Sequence, residues 1–472
     1  MSRVNTPRSA DTKHGSCTNA HDSLPLKYSC LTHDCGGVFP SNTRKGAYTT
    51  QFEEGSIVMA KVILVLALLL GPMAVVRGAS PAAQTTAGYD QAIEKYVRFL
   101  ETQKQTPVDY LMGLFAKYDI VVLCERAHPE TTQYDMICEL ACDKRFQQQV
   151  GHIFTECGSV SLRPAVEELL TSDQLSEEQT PQKLRAIYRN FNFQVVWDKT
   201  NSYDFLLKIS QLNRTLPKES RVHIWPCDVE SDWSKITKDN YGRIEQQLGQ
   251  RDKIMADNLS AKFKEIQKSP GRQKKALVIM NYRHAFTHLR LEFRGQAKDI
   301  ENMTGFLMAA YPGKVANVMI NSTGLLVGQR GNPMGATAIQ DGKWDAAFAV
   351  AGNPSRGFDF KGSPFGGDAF DYFPFPVPAR YTYQDVFTGF VFYKPLGEHR
   401  MSFGVAGLLD PAFTEELVRR CQITGQTGSP EDLTKQVQQW VATVRISGYD
   451  DKEIFPKYDG TEKIQRWLKK AS

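Results

Sequence analysis

Five short apolar runs, each followed by an amphipathic helical pattern, constrain the fold of this chain most: 120–123, 153–154, 222–225, 276–280 and 315–320. Runs this short are buried strands rather than helices, and strands alternating with helices form βαβ units around a mostly parallel sheet. The expected fold class is therefore α/β, with a mostly parallel sheet flanked by helices. Ahead of the first strand, 89–117 reads as helix, because Tyr96, Phe99 and Leu100, then Tyr110, Leu111, Leu114 and Phe115, recur at three- and four-residue spacing. No internal repeat or Gly/Ser linker interrupts the region, so 79–324 is expected to form one catalytic-type core.

Composition changes near Leu325. From there to about Leu396 the chain is rich in Gly, Phe, Tyr and Pro, which predicts strands, turns and an elaborated loop. Two helical segments follow, one opened by Ser429 with Pro430 at its first helical position. Residues 325–472 are thus expected to be a C-terminal aromatic-rich lobe packed on the core. Its aromatics either pad the sheet edge, the favoured reading, or wall a site for a bulky apolar substrate.

The other end of the chain reads as a targeting segment. Behind Met59, Lys61 precedes an apolar run at 62–70, and Val76-Arg77-Gly78 follows as a small-residue cleavage site, so 59–78 reads as a secretory signal peptide. The run is shorter than the roughly 20 apolar residues of a membrane span, and no second such stretch follows, so no stable span is expected after cleavage. A signal does not work behind a long polar leader, so translation is expected to begin at Met59 and 1–58 to be a non-native, disordered segment. The expected location is secreted or periplasmic. Six cysteines then remain, Cys124, Cys138, Cys142, Cys157, Cys227 and Cys421, and an oxidising compartment permits pairing without revealing connectivity.

With a formal net charge of +5 over 472 residues, no dense basic block and no zinc-finger or helix-turn-helix signature, nucleic acid is not an expected partner. There is also no Gly-x-Ser-x-Gly elbow, no phosphate-binding P-loop and no Gly-x-Gly-x-x-Gly opening a helix after the first strand. A small-molecule substrate is expected instead.

Where acids and histidines fall points to chemistry, since open α/β sheets bind ligands outside the carboxyl ends of their strands. Four expected strands end in reactive residues: the first in Glu125-Arg126-Ala127-His128, the second in Glu156, the third in Asp228, the fourth in Asn281-Tyr282-Arg283-His284. A histidine can take a proton from water, and a neighbouring carboxylate fixes its tautomer and stabilises the imidazolium. Any one of these residues alone is more simply a structural hydrogen-bonding group. Four at one edge are not.

The order of these pieces resembles the erythromycin esterase family: Glu125-x-x-His128 after an early strand, then Glu156, then Leu212-Asn213 with Asp228. Arg251-Asp252 through Met255-Ala256 to Asn258 and a last strand ending in His284 complete it. The likeness covers roughly 89–320. The family belongs to a wider superfamily with haem-binding uptake lipoproteins and membrane-associated metalloproteases. The resemblance implies hydrolysis of an ester or lactone by activated water. His128 would be the general base, Glu125 and Glu156 would orient water or imidazole, and His284 would assist at the leaving group or oxyanion. Asp228, Arg251 and Asn281 would bind or orient substrate, Arg251 by steadying a carboxylate. Cys124 replaces the family's usual Gly before the first Glu, and Pro129 follows His128, which predicts a narrowed pocket.

No cofactor is required on that reading. Two His and two Glu are equally a donor set for a divalent metal that acidifies bound water, and the sequence leaves that alternative open. The other alternative is a haem- or apolar-ligand-binding protein, with Tyr282, His284 or His288 as axial groups.

Overall fold

The computed structural model describes residues 88–293, 296–327, 333–373, 381–441, 444–453 and 457–469. The leader and the signal segment lie outside them. In chain order, β1 (Ile120–Glu125), β2 (His152–Ser159), β3 (His223–Asp228) and β4 (Ala276–Asn281) are joined through helices. A hairpin of β5 (Leu289–Phe293) and β6 (Gln296–Ile300) precedes β7 (Val315–Ile320), and a second antiparallel pair, β8 (Thr323–Val327) and β9 (Pro333–Ala338), follows it. Two more strands complete the main sheet, β10 (Arg356–Asp359) and β11 (Gly389–Phe392).

The main sheet has seven strands in the order β10-β11-β7-β1-β4-β2-β3. All its pairings are parallel except that of the edge strand β10 with β11. The protein is therefore α/β, and all five apolar runs form strands of this sheet. Both faces are buried, as parallel sheets require. On β1, Val121 and Leu123 enter one core with Ile153, Ile279 and Val318, while Ile120, Val122 and Cys124 enter the opposite core with Phe154, Met280 and Met319.

The Gly/Phe/Tyr-rich stretch adds β11 and β10 to the sheet. Its aromatics fill the second core: Phe358, Phe360, Phe365, Phe370, Phe390 and Phe392 are all buried, with Trp344 among them. Those rings pad the sheet and its edge. The 89–117 segment is two helices, Glu94–Thr102 and Pro107–Phe115, because Thr106 caps the second through the Asp109 N–H with Pro107 at its first position. Among the described residues no helix is long and apolar enough to cross a membrane, and all six cysteines are free thiols.

Candidate active site

Glu125 is the last residue of β1, and period-two alternation turns its side chain away from Cys124, toward the first core. Its Oε2 lies 2.9 Å from His128 Nδ1, and its Oε1 accepts a 2.7 Å hydrogen bond from the Tyr134 hydroxyl on the following helix. Burial pushes the Glu125 carboxyl above its ordinary range, with His128 and Tyr134 acting against that rise. The contact puts the ring proton on Nδ1, leaving Nε2 as the basic nitrogen. The Trp197 ring lies edge-on to the imidazole at 5.1 Å, and the Asn201 side chain donates to the His128 carbonyl at 2.5 Å, so ring and backbone are both held.

Glu156 reaches the site through a break in the ladder. Thr155 pairs with Pro226 and Ser159 with Asp228, so β2 advances four residues against two on β3. Gly158, at φ +105°, allows this bulge, a device that re-aims side chains at strand ends. Glu156 Oε2 accepts the Asn281 N–H at 2.7 Å, and Oε1 accepts from Arg251 Nη1 at 3.0 Å. The same Oε1 lies 3.9 Å from His128 Nε2 and 3.5 Å from His284 Nε2. Burial alone raises this carboxyl, but His284, Arg251 and His128 outweigh it, together with the Asn281 N–H, and hold it at about 2.

His284 follows β4 in a short turn that begins at Tyr282, a non-glycine at φ +36°. Its Nδ1 lies 2.5 Å from Asp252 Oδ1, which also accepts the Met303 N–H at 2.9 Å, while Arg283 Nη1 donates to Oδ2 at 3.1 Å. Although burial opposes it, the charges of His284 and Arg283 keep Asp252 well below the usual carboxylate range. The site therefore contains two carboxylate–imidazole pairs, Glu125–His128 and Asp252–His284, whose Nε2 atoms both approach one glutamate oxygen.

Around these pairs the other expected residues have supporting places. Arg251 opens the Arg251–Lys268 helix and grips Asp228 in bidentate fashion, Nε to Oδ1 at 2.8 Å and Nη2 to Oδ2 at 3.0 Å, while reaching Glu156. Asp228 is fully buried at the end of β3 and faces Arg251 rather than open space. The Asn281 side chain is spent on the Arg126 carbonyl; its backbone N–H is what touches Glu156. Asn213 lies away from the site, bonding Val222 at the entry to β3, and Asn258 ties its helix to the Cys227 carbonyl. Cys124 is buried in the opposite core with its Sγ toward the Tyr282 carbonyl, so it underlies the His284 turn instead of narrowing the space beside His128.

Sequence reasoning missed Asp252 as a site residue, along with Tyr134, Trp197 and Cys157. An acid in the first turn of a helix is ordinary there, and only its place beside Arg251 marked Asp252. Cys157 Sγ lies 3.7 Å from His128 Nδ1, and burial pushes this thiol up to about 12, so it stays protonated. Behind Glu125 and Glu156 is a cavity of about 20 Å³, lined by Tyr134, Cys157, Ser202 and apolar side chains, a volume that holds about one water.

Among the described residues no three His, Cys, Asp or Glu side chains converge as metal ligands, and the oxygen between the imidazoles already accepts from Arg251. The haem candidates diverge: His284 turns inward, whereas His288 is exposed beside Asp299 at 3.2 Å.

Fold and site together define an α/β protein whose parallel strands bring two carboxylate–imidazole pairs to a central glutamate. Neither the family models nor the curated proteins give a match to this chain. Solved structures do, at a distance. They include a protein from Bacillus cereus (11% identity, TM-score 0.40, 64% of this chain and 97% of that one). A mutant of the erythromycin esterase EreC in its open conformation aligns at 11% identity and TM-score 0.38, over 60% of this chain and 92% of that one. A haem-bound ChaN of Campylobacter jejuni aligns at 12% identity and TM-score 0.28, over 47% and 88%.

Proposed function

We propose that this chain is a hydrolase that activates water through His128 to cleave an ester bond of a small-molecule substrate. The observation that carries the reading is the buried Glu125–His128 pair, with Nδ1 held at 2.9 Å and Nε2 turned toward Glu156. Nε2 takes a proton from water as the water oxygen attacks the acyl carbon, and ionised Glu125 stabilises the imidazolium that forms. Arg251 and the Asn281 N–H keep Glu156 charged and fixed, so it can orient that water from the other side. The signal-like segment at 59–78 supports action in a secreted or periplasmic setting.

The test is turnover of a panel of alkyl and aryl esters by the purified protein and by His128→Ala, with and without chelator. General-base catalysis typically contributes about 10²–10⁴-fold, so a loss of that size is expected in the variant, with activity retained in chelator. Wild-type turnover unchanged by the substitution would refute the role of His128.

A further inference from the structure

We infer that Asp252 is a positioning residue that makes His284 the proton donor to the departing group, suiting this site to esters whose leaving group is a strongly basic alkoxide. The inference rests on the hydrolase reading above.

Its ground is the likeness of the two pairs. Each imidazole has its Nδ1 against a carboxylate, Glu125 for His128 at 2.9 Å and Asp252 for His284 at 2.5 Å, and each presents Nε2 to Glu156 Oε1. One imidazole suffices to take a proton from water. A second, oriented as carefully and near the same carboxylate oxygen, suits a reaction in which a proton must also be delivered. Asp252 accepts the first N–H of the Met303–Ala310 helix, and the same Oδ1 also meets His284 Nδ1. The Met303 N–H and Arg283 fix both its oxygens, and the charges of His284 and Arg283 hold its carboxyl well below the usual range, so a carboxylate faces His284 Nδ1.

The proton balance closes. Water gives a proton to His128 Nε2 as its oxygen bonds to the acyl carbon. The bond from that carbon to the leaving oxygen then breaks, its electron pair goes with the oxygen, and His284 Nε2 supplies the proton that turns alkoxide into alcohol. His128 is left with one proton too many and His284 with one too few. Glu156 Oε1, adjacent to both nitrogens, or bulk water returns it. A dedicated donor matters only for a basic leaving group; a weakly basic aryl oxide departs unprotonated.

That difference supplies the experiment. Hydrolysis of ethyl butyrate and of para-nitrophenyl butyrate is compared in wild type, Asp252→Asn, Asp252→Glu and His284→Ala, with folding checked by circular dichroism. Asp252→Asn and His284→Ala are expected to lose about 10²–10⁴-fold on the ethyl ester and under about tenfold on the aryl ester, and Asp252→Glu to recover part of the loss. Equal losses on both esters, or none on either, overturn the inference while leaving the hydrolase reading intact. Wild type that cleaves neither ester overturns both. Independently of turnover, the downfield Nδ1–H proton resonance that disappears in His284→Ala is expected to disappear or move upfield in Asp252→Asn. Its persistence unchanged refutes the contact.

Discussion

At the scale of single residues, Arg251 is the cation on which the buried acids depend. It is largely buried and satisfies Asp228 through two nitrogens and Glu156 through a third. Removing one partner of a buried ion pair leaves an uncompensated charge, typically worth about 3–5 kcal/mol. Arg251→Ala is therefore expected to lower stability by about that amount in urea unfolding, and Arg251→Lys by less, since an ammonium keeps the charge without the planar fork. A change below about 1 kcal/mol in Arg251→Ala would show that Asp228 and Glu156 do not rely on it. This is also where residue-level reading reached its limit. Glu125, His128, Glu156 and His284 stood out because each ends an apolar run. Asp252 did not, because its partner is a histidine reached only through the fold.

Among the elements, β2 decides the geometry of the centre. Its bulge at 155–159 turns Glu156 between the histidines, and Gly158 makes that bulge with positive φ and with Pro226 Cβ only 3.0 Å from where a side chain would start. Gly158→Ala meets both obstacles. A non-glycine residue held in such a region costs about 1–3 kcal/mol, so its thermal midpoint is expected to fall and its ester turnover to fall further than stability alone explains. An unaltered midpoint and turnover would show that the bulge relaxes without moving Glu156. The strands that carry the site were legible because each is a continuous apolar run, the mark of a strand buried on both faces. Strands were expected in the stretch that holds β10 and β11, but their joining the main sheet was not legible, because Phe358 and Phe390 sit among glycines and turn residues, and the pairing of Gly357 with Val391 has no trace in local periodicity. The bulge was equally hidden, since it depends on the register between β2 and its neighbour.

For the molecule as a whole, buried ionisable groups set the response to acid. His152, the first residue of β2, stacked on His223 of β3 and accepting from Trp225 Nε1, is pushed down to about 3, first by burial and then by the nearby His223 and Lys262. His399 is likewise lowered to about 3 by burial and Arg126. Both are neutral when folded and take up a proton on unfolding once pH drops below about 6.5, so the unfolded chain binds more protons and stability declines from there down to about 3. Glu156 and Glu130, each held at about 2, contribute stability above their unfolded value near 4.5 and lose it as pH falls toward 2. The thermal midpoint is therefore expected to begin falling near pH 6.5 and to steepen below about 4.5. His152→Gln should flatten the upper part of that slope; an unchanged slope would remove His152 from the account. The first carboxylate–imidazole pair and the second come from opposite ends of the βα succession, one on the strand that starts the sheet and one beyond the fourth. Both approach Glu156 only once β2 lies beside β4. An unfolded chain thus carries every one of these groups without the assembled centre.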